Sequence, residues 1–172
     1  KVGDQVVIVR SAEMEAGLPE ACLAGLESVL RESNPAAILF GNDTLSQELP
    51  VRLAHRLGGS AVGDAQEVSF HNGKLRVTRS VYGGKAMAIV ELQKTPAVIW
   101  VRARAQAPAE AKASRAELET IEPQFGTHAK TTLRERHIEP CEGVRLEDAT
   151  VIVSGGRGLG GAEQFTHLKQ LA

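Results

Sequence analysis

Aromatic residues are scarce in this chain: four Phe, one Trp and one Tyr make up 3% of its 172 residues. Its core has to be filled by Val, Ile, Leu and Ala, and little is left for a stacking platform that would hold single-stranded nucleic acid. Charge of one sign is lacking as well, since 20 Lys and Arg stand against 21 Asp and Glu for a net charge of -1. Without a basic excess there is no general attraction to phosphate backbones or anionic lipid, and nucleic acid is not an expected partner; a local basic pocket stays open. Cysteine is limited to Cys22 and Cys141, far apart and without partners at metal-ligand spacing. That signals neither a zinc site nor a disulfide framework and fits a reducing compartment. His55, His71, His128, His137 and His167 form no cluster with acidic or thiol partners, so no metal site is read. No run nears the ~18 consecutive apolar residues of a membrane-spanning helix. A start at Lys1-Val2-Gly3 without Met is expected of a chain processed or cut from a longer one.

What is present is an ordinary globular composition, 42% hydrophobic and 24% charged. Gln5-Val6-Val7-Ile8-Val9-Arg10 predicts a strand, and Gly17-Leu18-Pro19-Glu20 a turn into a helix whose apolar positions run from Ala21 to Leu30. Asn34-Pro35 stops that helix. Ala36-Ala37-Ile38-Leu39-Phe40-Gly41 predicts a fully buried strand, and a second helix follows from about Ser46 to Leu57, closed by Gly58-Gly59. This alternation is the grammar of a parallel sheet with crossovers. Asn72-Gly73 between two strand-like runs then predicts a tight hairpin. Tyr82-Gly83-Gly84-Lys85 reads as another turn, and Lys94-Thr95-Pro96 separates two further strand-like runs. The expected fold is α/β, a mostly parallel Rossmann-like sheet with an antiparallel hairpin extension, over residues 1–102. Residues 103–145 read as a connector with peripheral strands at 118–121 and 131–136. Asp43 and Asp64, after strand ends, read as solvated loop carboxylates.

Residues 149–154 predict one more strand, followed by Gly155-Gly156-Arg157-Gly158-Leu159-Gly160-Gly161 and a helical pattern at Ala162, Phe165, Leu168 and Leu171. Gly156, Gly158 and Gly161 satisfy G-x-G-x-x-G, in which glycines give a tight turn and let the backbone approach a pyrophosphate at a helix N-terminus. Arg157 adds a permanent cation suited to a phosphate or an anionic flavin. On the motif alone, nucleotide binding and a plain tight turn stand level. Residues 146–172 are read as the first strand-loop-helix of a second α/β domain.

Three ordered stretches resemble the α subunits of electron-transfer flavoproteins. Ser154-Gly-Gly-Arg-Gly-Leu159 with Glu163-Gln-Phe165 and Leu168-Lys-Gln-Leu171-Ala172 is similar to the opening of that family's FAD-binding domain. Val77 to Ala88 with Pro96 to Arg102 is similar to strands of its first domain, and Pro50 to Gly58 to the helix before a parallel strand. Leu45-Ser46-Gln47-Glu48 departs from the Gly-Arg-Asp-like turn that members often carry. The resemblance implies a chain cut short at both ends, without the first strand and helix of domain one and without everything past the first helix of domain two. It implies a redox carrier without catalytic residues of its own. FAD would be bound by Arg157, Gly155, Gly156 and Gly158 in the full-length protein but hardly retained by this piece. It further implies a heterodimer with a β subunit, dehydrogenases as electron donors and a membrane-associated, quinone-linked acceptor. The compartment would be the bacterial cytoplasm, or the mitochondrial matrix in a eukaryote. A nicotinamide-dependent oxidoreductase using the same loop, or a cofactor-free assembly domain, are the alternatives.

Overall fold

Four β-branched residues in a row make Gln5–Val9 a strand (β1). Ser11 then caps the single helical turn Ala12–Glu15 (α1), its Oγ accepting from the Met14 amide at 3.2 Å. Pro19 opens the long helix Pro19–Ser33 (α2), where its missing N–H costs nothing. Asn34 ends it in the left-handed region, φ 45°, with its amide on the Leu30 carbonyl. The strand Ala37–Phe40 (β2), a 3-10 turn at Leu45–Gln47 and the helix Leu49–Leu57 (α3) follow. The second helix thus begins three residues later than the apolar pattern predicts, with Pro50 in its first turn. The computed structural model describes residues 4–41, 43, 45–110, 116–123, 130–138, 143 and 146–172. Cys141, His128 and parts of the expected connector lie outside these residues.

Beyond α3 come Ser60–His71 (β3), Lys74–Val81 (β4), Ala86–Glu91 (β5) and Ala97–Val101 (β6). They join β2 in a five-stranded sheet of order β2-β6-β3-β4-β5. β6 is parallel to both β2 and β3, whereas β3/β4 and β4/β5 are antiparallel. Asn72 (φ 49°) and Gly73 (φ 77°) make the β3/β4 turn with both central residues at positive φ, as the two-residue hairpin demands. The strand Glu117–Ile121 (β7) pairs in parallel with β1 in a separate two-stranded ribbon. With three of five pairings parallel, the α/β expectation holds, its hairpin extension included.

Two apolar clusters hold this part together. On the helical side Cys22, Leu23, Leu49 and Leu53 pack with Ile38 and Phe40 of β2. A second cluster gathers Val62, Ala65, Val77, Leu92, Ala97 and Ile99. Leu23, Leu53, Val77, Val98 and Ile99 are sealed from solvent, each stabilising the fold by about 1.5–3 kcal/mol through burial. β2 is not the fully buried strand its apolar run predicts. It lies at the sheet edge, so Ile38 and Phe40 face the helices while Leu39 stays 62% exposed.

The chain divides into two compact units, Lys1–Leu133 and Arg134–Ala172. Residues 131–136 form no strand, while β7 lies where a peripheral strand is expected. In the second unit, residues 149–154 form no ladder with any described strand, because a strand is fixed only by a neighbour it can hydrogen-bond. Two 3-10 turns, Arg157–Leu159 and Ala162–Gln164, lead into the short helix Phe165–Leu171 (α4).

Candidate functional site

The glycine-rich stretch folds as a turn within a turn. The Leu159 amide bonds the Gly156 carbonyl at 3.0 Å and the Gly160 amide bonds the Arg157 carbonyl at 3.2 Å, which closes the 3-10 turn. Gly160 takes φ 88°, a value that reverses the chain toward α4 and that side chains rarely adopt. Gly155 is closely packed: a Cβ there would lie 2.2 Å from Leu159 Cδ1 and 2.6 Å from Leu168 Cδ1. With any other residue there, the ends of the Leu159 and Leu168 side chains would have to shift. Gly156 and Gly158 instead face open space, with nothing within 4 Å of an added Cβ.

Gly155, Gly156, Arg157 and Gly158 thus form one surface. Its inner side packs on Leu159 and Leu168, and its outer side is bare. Arg157 is exposed at its centre. The first amides of a 3-10 turn have no acceptor within it, so the bare side combines a fixed cation, open backbone and amide donors, the donor set of a diphosphate cradle. On this test the loop fits the diphosphate of FAD. Walls for a flavin ring or an adenosine are not found among the described residues of this unit; a shallow cavity of about 350 Å³ between residues 153–155 and Phe165, Leu168 and Lys169 is the nearest space.

A second polar arrangement in the first unit escaped the reading of the sequence. β-bulges at the Val62/Ala65 and Ala65/Glu67 registers throw Asp64 out of the ladder at φ 61°. It is no solvated loop carboxylate: Arg102 Nε and Nη2 donate to its two oxygens at 2.6 and 2.5 Å. Those hydrogen bonds hold the Asp64 carboxyl below its usual range; desolvation opposes them, and the charges of Arg102 and Arg79 add to them. Arg79 lines the same cavity, its Nε shielded from solvent and without an acceptor, where an unmade bond costs about 1–3 kcal/mol. No sequence signal announces a bulge that turns a carboxylate onto an arginine 38 residues away. Among the described residues no group of three or more His, Cys, Asp or Glu could hold a metal ion.

A mixed sheet with helices, and a glycine-rich turn with donors suited to a diphosphate, are features found in the class of α/β nucleotide-cofactor proteins. Within it the chain belongs to the electron transfer flavoprotein domain family, whose model matches residues 2–125. The electron transfer flavoprotein subunit alpha of Bacillus subtilis is 28% identical over 170 residues, which cover 98% of this chain and 52% of that protein. The protein FixB of Salmonella typhimurium is 27% identical over 164 residues, 95% of this chain and 52% of its own length. The chain spans about half the length of the curated relatives it matches. The family model falls on the first unit, and the pairwise matches extend into the second, where the glycine loop lies.

Proposed function

We propose that this chain is the first domain, and the opening of the FAD-binding domain, of the α subunit of an electron-carrying flavoprotein. The observation that carries the reading is the bare outer side of the glycine loop with Arg157 at its centre, in a chain of this family. The domains are read as 1–102 for the first, 103–145 for connector and peripheral strands and 146–172 for the start of the second.

FAD, when bound, supplies the one- and two-electron chemistry. This chain's residues would hold and orient it. Gly156 and Gly158 would let the backbone close on the diphosphate, with Gly155 seating the loop on Leu159 and Leu168. Arg157 offers a charge that does not titrate near neutrality, favouring negative charge beside it. As a member of the electron transfer flavoprotein family the chain is read as part of a carrier rather than an enzyme.

A β subunit is the proposed partner. The first unit leaves Met87 and Ile89 of the edge strand β5 exposed, apolar side chains that a subunit laid along that edge would cover. Dehydrogenases would donate electrons and a membrane-associated, quinone-linked acceptor would take them. Among the described residues no helix is long and apolar enough to cross a membrane. The setting proposed is the bacterial cytoplasm, or the mitochondrial matrix in a eukaryote.

The experiment is co-expression of a longer α chain, with its second domain complete, and its β subunit. A stoichiometric complex that absorbs in the visible through bound FAD supports the reading. A colourless complex that binds oxidised nicotinamide instead, or no complex at all, overturns it.

A further inference from the structure

At the bulged end of β3 the first unit builds a charged cavity that the flavin reading leaves unused. It holds about 510 Å³, within the size range of small-ligand sites. Its lining joins three segments distant in sequence: Asp64 from the bulge, Arg79 from β4 with the turn Tyr82-Gly83-Gly84, and Arg102 just past β6. The two arginines bring two positive charges and Asp64 one negative, leaving the lining with one in excess. Asp64 spends both oxygens on the Arg102 fork. That leaves Arg79 beside it with an unpartnered Nε and, among the described residues, no carboxylate of its own.

The turn that lines the cavity closes with the Gly84 amide on the Val81 carbonyl at 3.2 Å, which calls for positive φ at both Tyr82 and Gly83. Tyr82, Gly83 and Gly84 all take positive φ, at 53°, 65° and 88°, and the Tyr82 ring is left 84% exposed. Asp64 at φ 61° lies on the same cavity.

We propose that this cavity binds a carboxylate monoanion, gripped by the terminal nitrogens of the Arg79 guanidinium, whose Nε is itself shielded. A single negative charge balances the lining, whereas a phosphate dianion would leave it negative. The planar fork of arginine matches a carboxylate in two parallel bonds. The source is either a free small acid or an acidic side chain of another protein, and both present the same group. The proposal is independent of FAD binding, since every residue it uses lies in the first unit.

Two isosteric changes have opposite expected signs. Arg79→Lys keeps the charge but loses the fork, and weakens binding about tenfold. Asp64→Asn removes the competing carboxylate while Asn still tolerates positive φ, so it tightens binding several-fold. The measurement is the Nε–H resonance of Arg79 in the ¹⁵N-labelled 172-residue chain, with sodium acetate in one arm and a capped Ala-Glu-Ala peptide in the other. Sodium chloride and sodium phosphate at equal ionic strength serve as controls. In Arg79→Lys the resonances of Arg102 and Tyr82 take over as the readout.

A saturable shift half-complete at about 1–10 mM supports the proposal. Tighter response to acetate assigns a free acid, and tighter response to the peptide assigns a protein side chain. No saturation in either arm by about 100 mM overturns it, as does tighter binding of phosphate or weaker binding in Asp64→Asn. If Arg79→Lys fails to fold, the sign of the Asp64→Asn effect decides alone.

Discussion

The two units of this chain differ in what their apolar residues meet. In the first, α2 and α3 lie on a five-stranded sheet, and Leu23, Leu53 and Ile99 are fully sealed. In the second, no described residue is buried; Val151 is 79% exposed and Leu171 76%. Yet residues 151–153 and α4 carry the same kind of apolar pattern as β2 and α2. The difference lies in partners, since a helix and a sheet each need another layer to cover their apolar face. Among its described residues the second unit is a single layer with its apolar side chains in water, and the glycine loop lies on that layer.

The largest expected effect comes from matched truncations. Leu53→Ala should destabilise the first unit by about 2–5 kcal/mol, because it opens a cavity in a sealed cluster. Leu171→Ala in the second unit should cost under about 0.5 kcal/mol, as exposed side chains do. Urea unfolding of each variant checks the pair, and equal costs would erase the distinction between the units.

Next comes the loop. Gly155→Ala puts a methyl against the ends of the Leu159 and Leu168 side chains, which must shift to admit it, so its cost should show as lowered stability, at most about 1 kcal/mol, in a flavoprotein whose second domain is complete. Gly158→Ala meets open space on the loop's own side, so its harm should appear only as weaker FAD retention. Thermal unfolding with and without added FAD separates the two changes. Gly158→Ala that destabilises the apoprotein as much as Gly155→Ala would contradict the two-sided picture of the loop.

The smallest effect is electrostatic and confined to the first unit. Asp64 is held below its ordinary range chiefly by the Arg102 hydrogen bonds, and Glu91 is lowered to about 2 chiefly by the Lys74 ammonium. A carboxylate with a depressed folded-state pKa contributes its full stability above the unfolded value, near 4, and loses it as pH falls through the folded value. Stability of the first unit should therefore decline from about pH 4 downward, and less steeply in Asp64→Asn. An unchanged acid limb in that variant would show the fork to be energetically idle, as many exposed pairs are.

Much of the first unit was legible in the sequence because local chemistry decides it. Pro19, Asn34 and Gly58 punctuate helices through backbone rules that need no tertiary context. Asn72-Gly73 fixes a hairpin for the same reason. What depended on distant chain was not legible. β1 pairs with β7, more than a hundred residues away, and β6 inserts between β2 and β3, which leaves Leu39 on an open edge. Asp64 was misread because a bulge, set by strand registers rather than by its neighbours, turns it onto Arg102. The motif named Gly156, Gly158 and Gly161, whereas the loop positions that local geometry constrains are Gly160, at φ 88°, and Gly155, close to Leu159 and Leu168. The strand before the loop was not legible, because residues 149–154 need a ladder partner that the described residues do not supply.

The central claim is that the glycine loop with Arg157 is an FAD cradle on an uncovered layer. Flavin fluorescence during FAD titration tests it most directly, on this 172-residue chain and on a longer α chain with its β subunit, each with and without Arg157→Ala. The account predicts no tight binding by the short chain, bound FAD in the longer one, and about tenfold weaker retention there without the arginine. Micromolar or tighter binding by the short chain, or an Arg157→Ala complex with unchanged affinity and reduction potential, would contradict it.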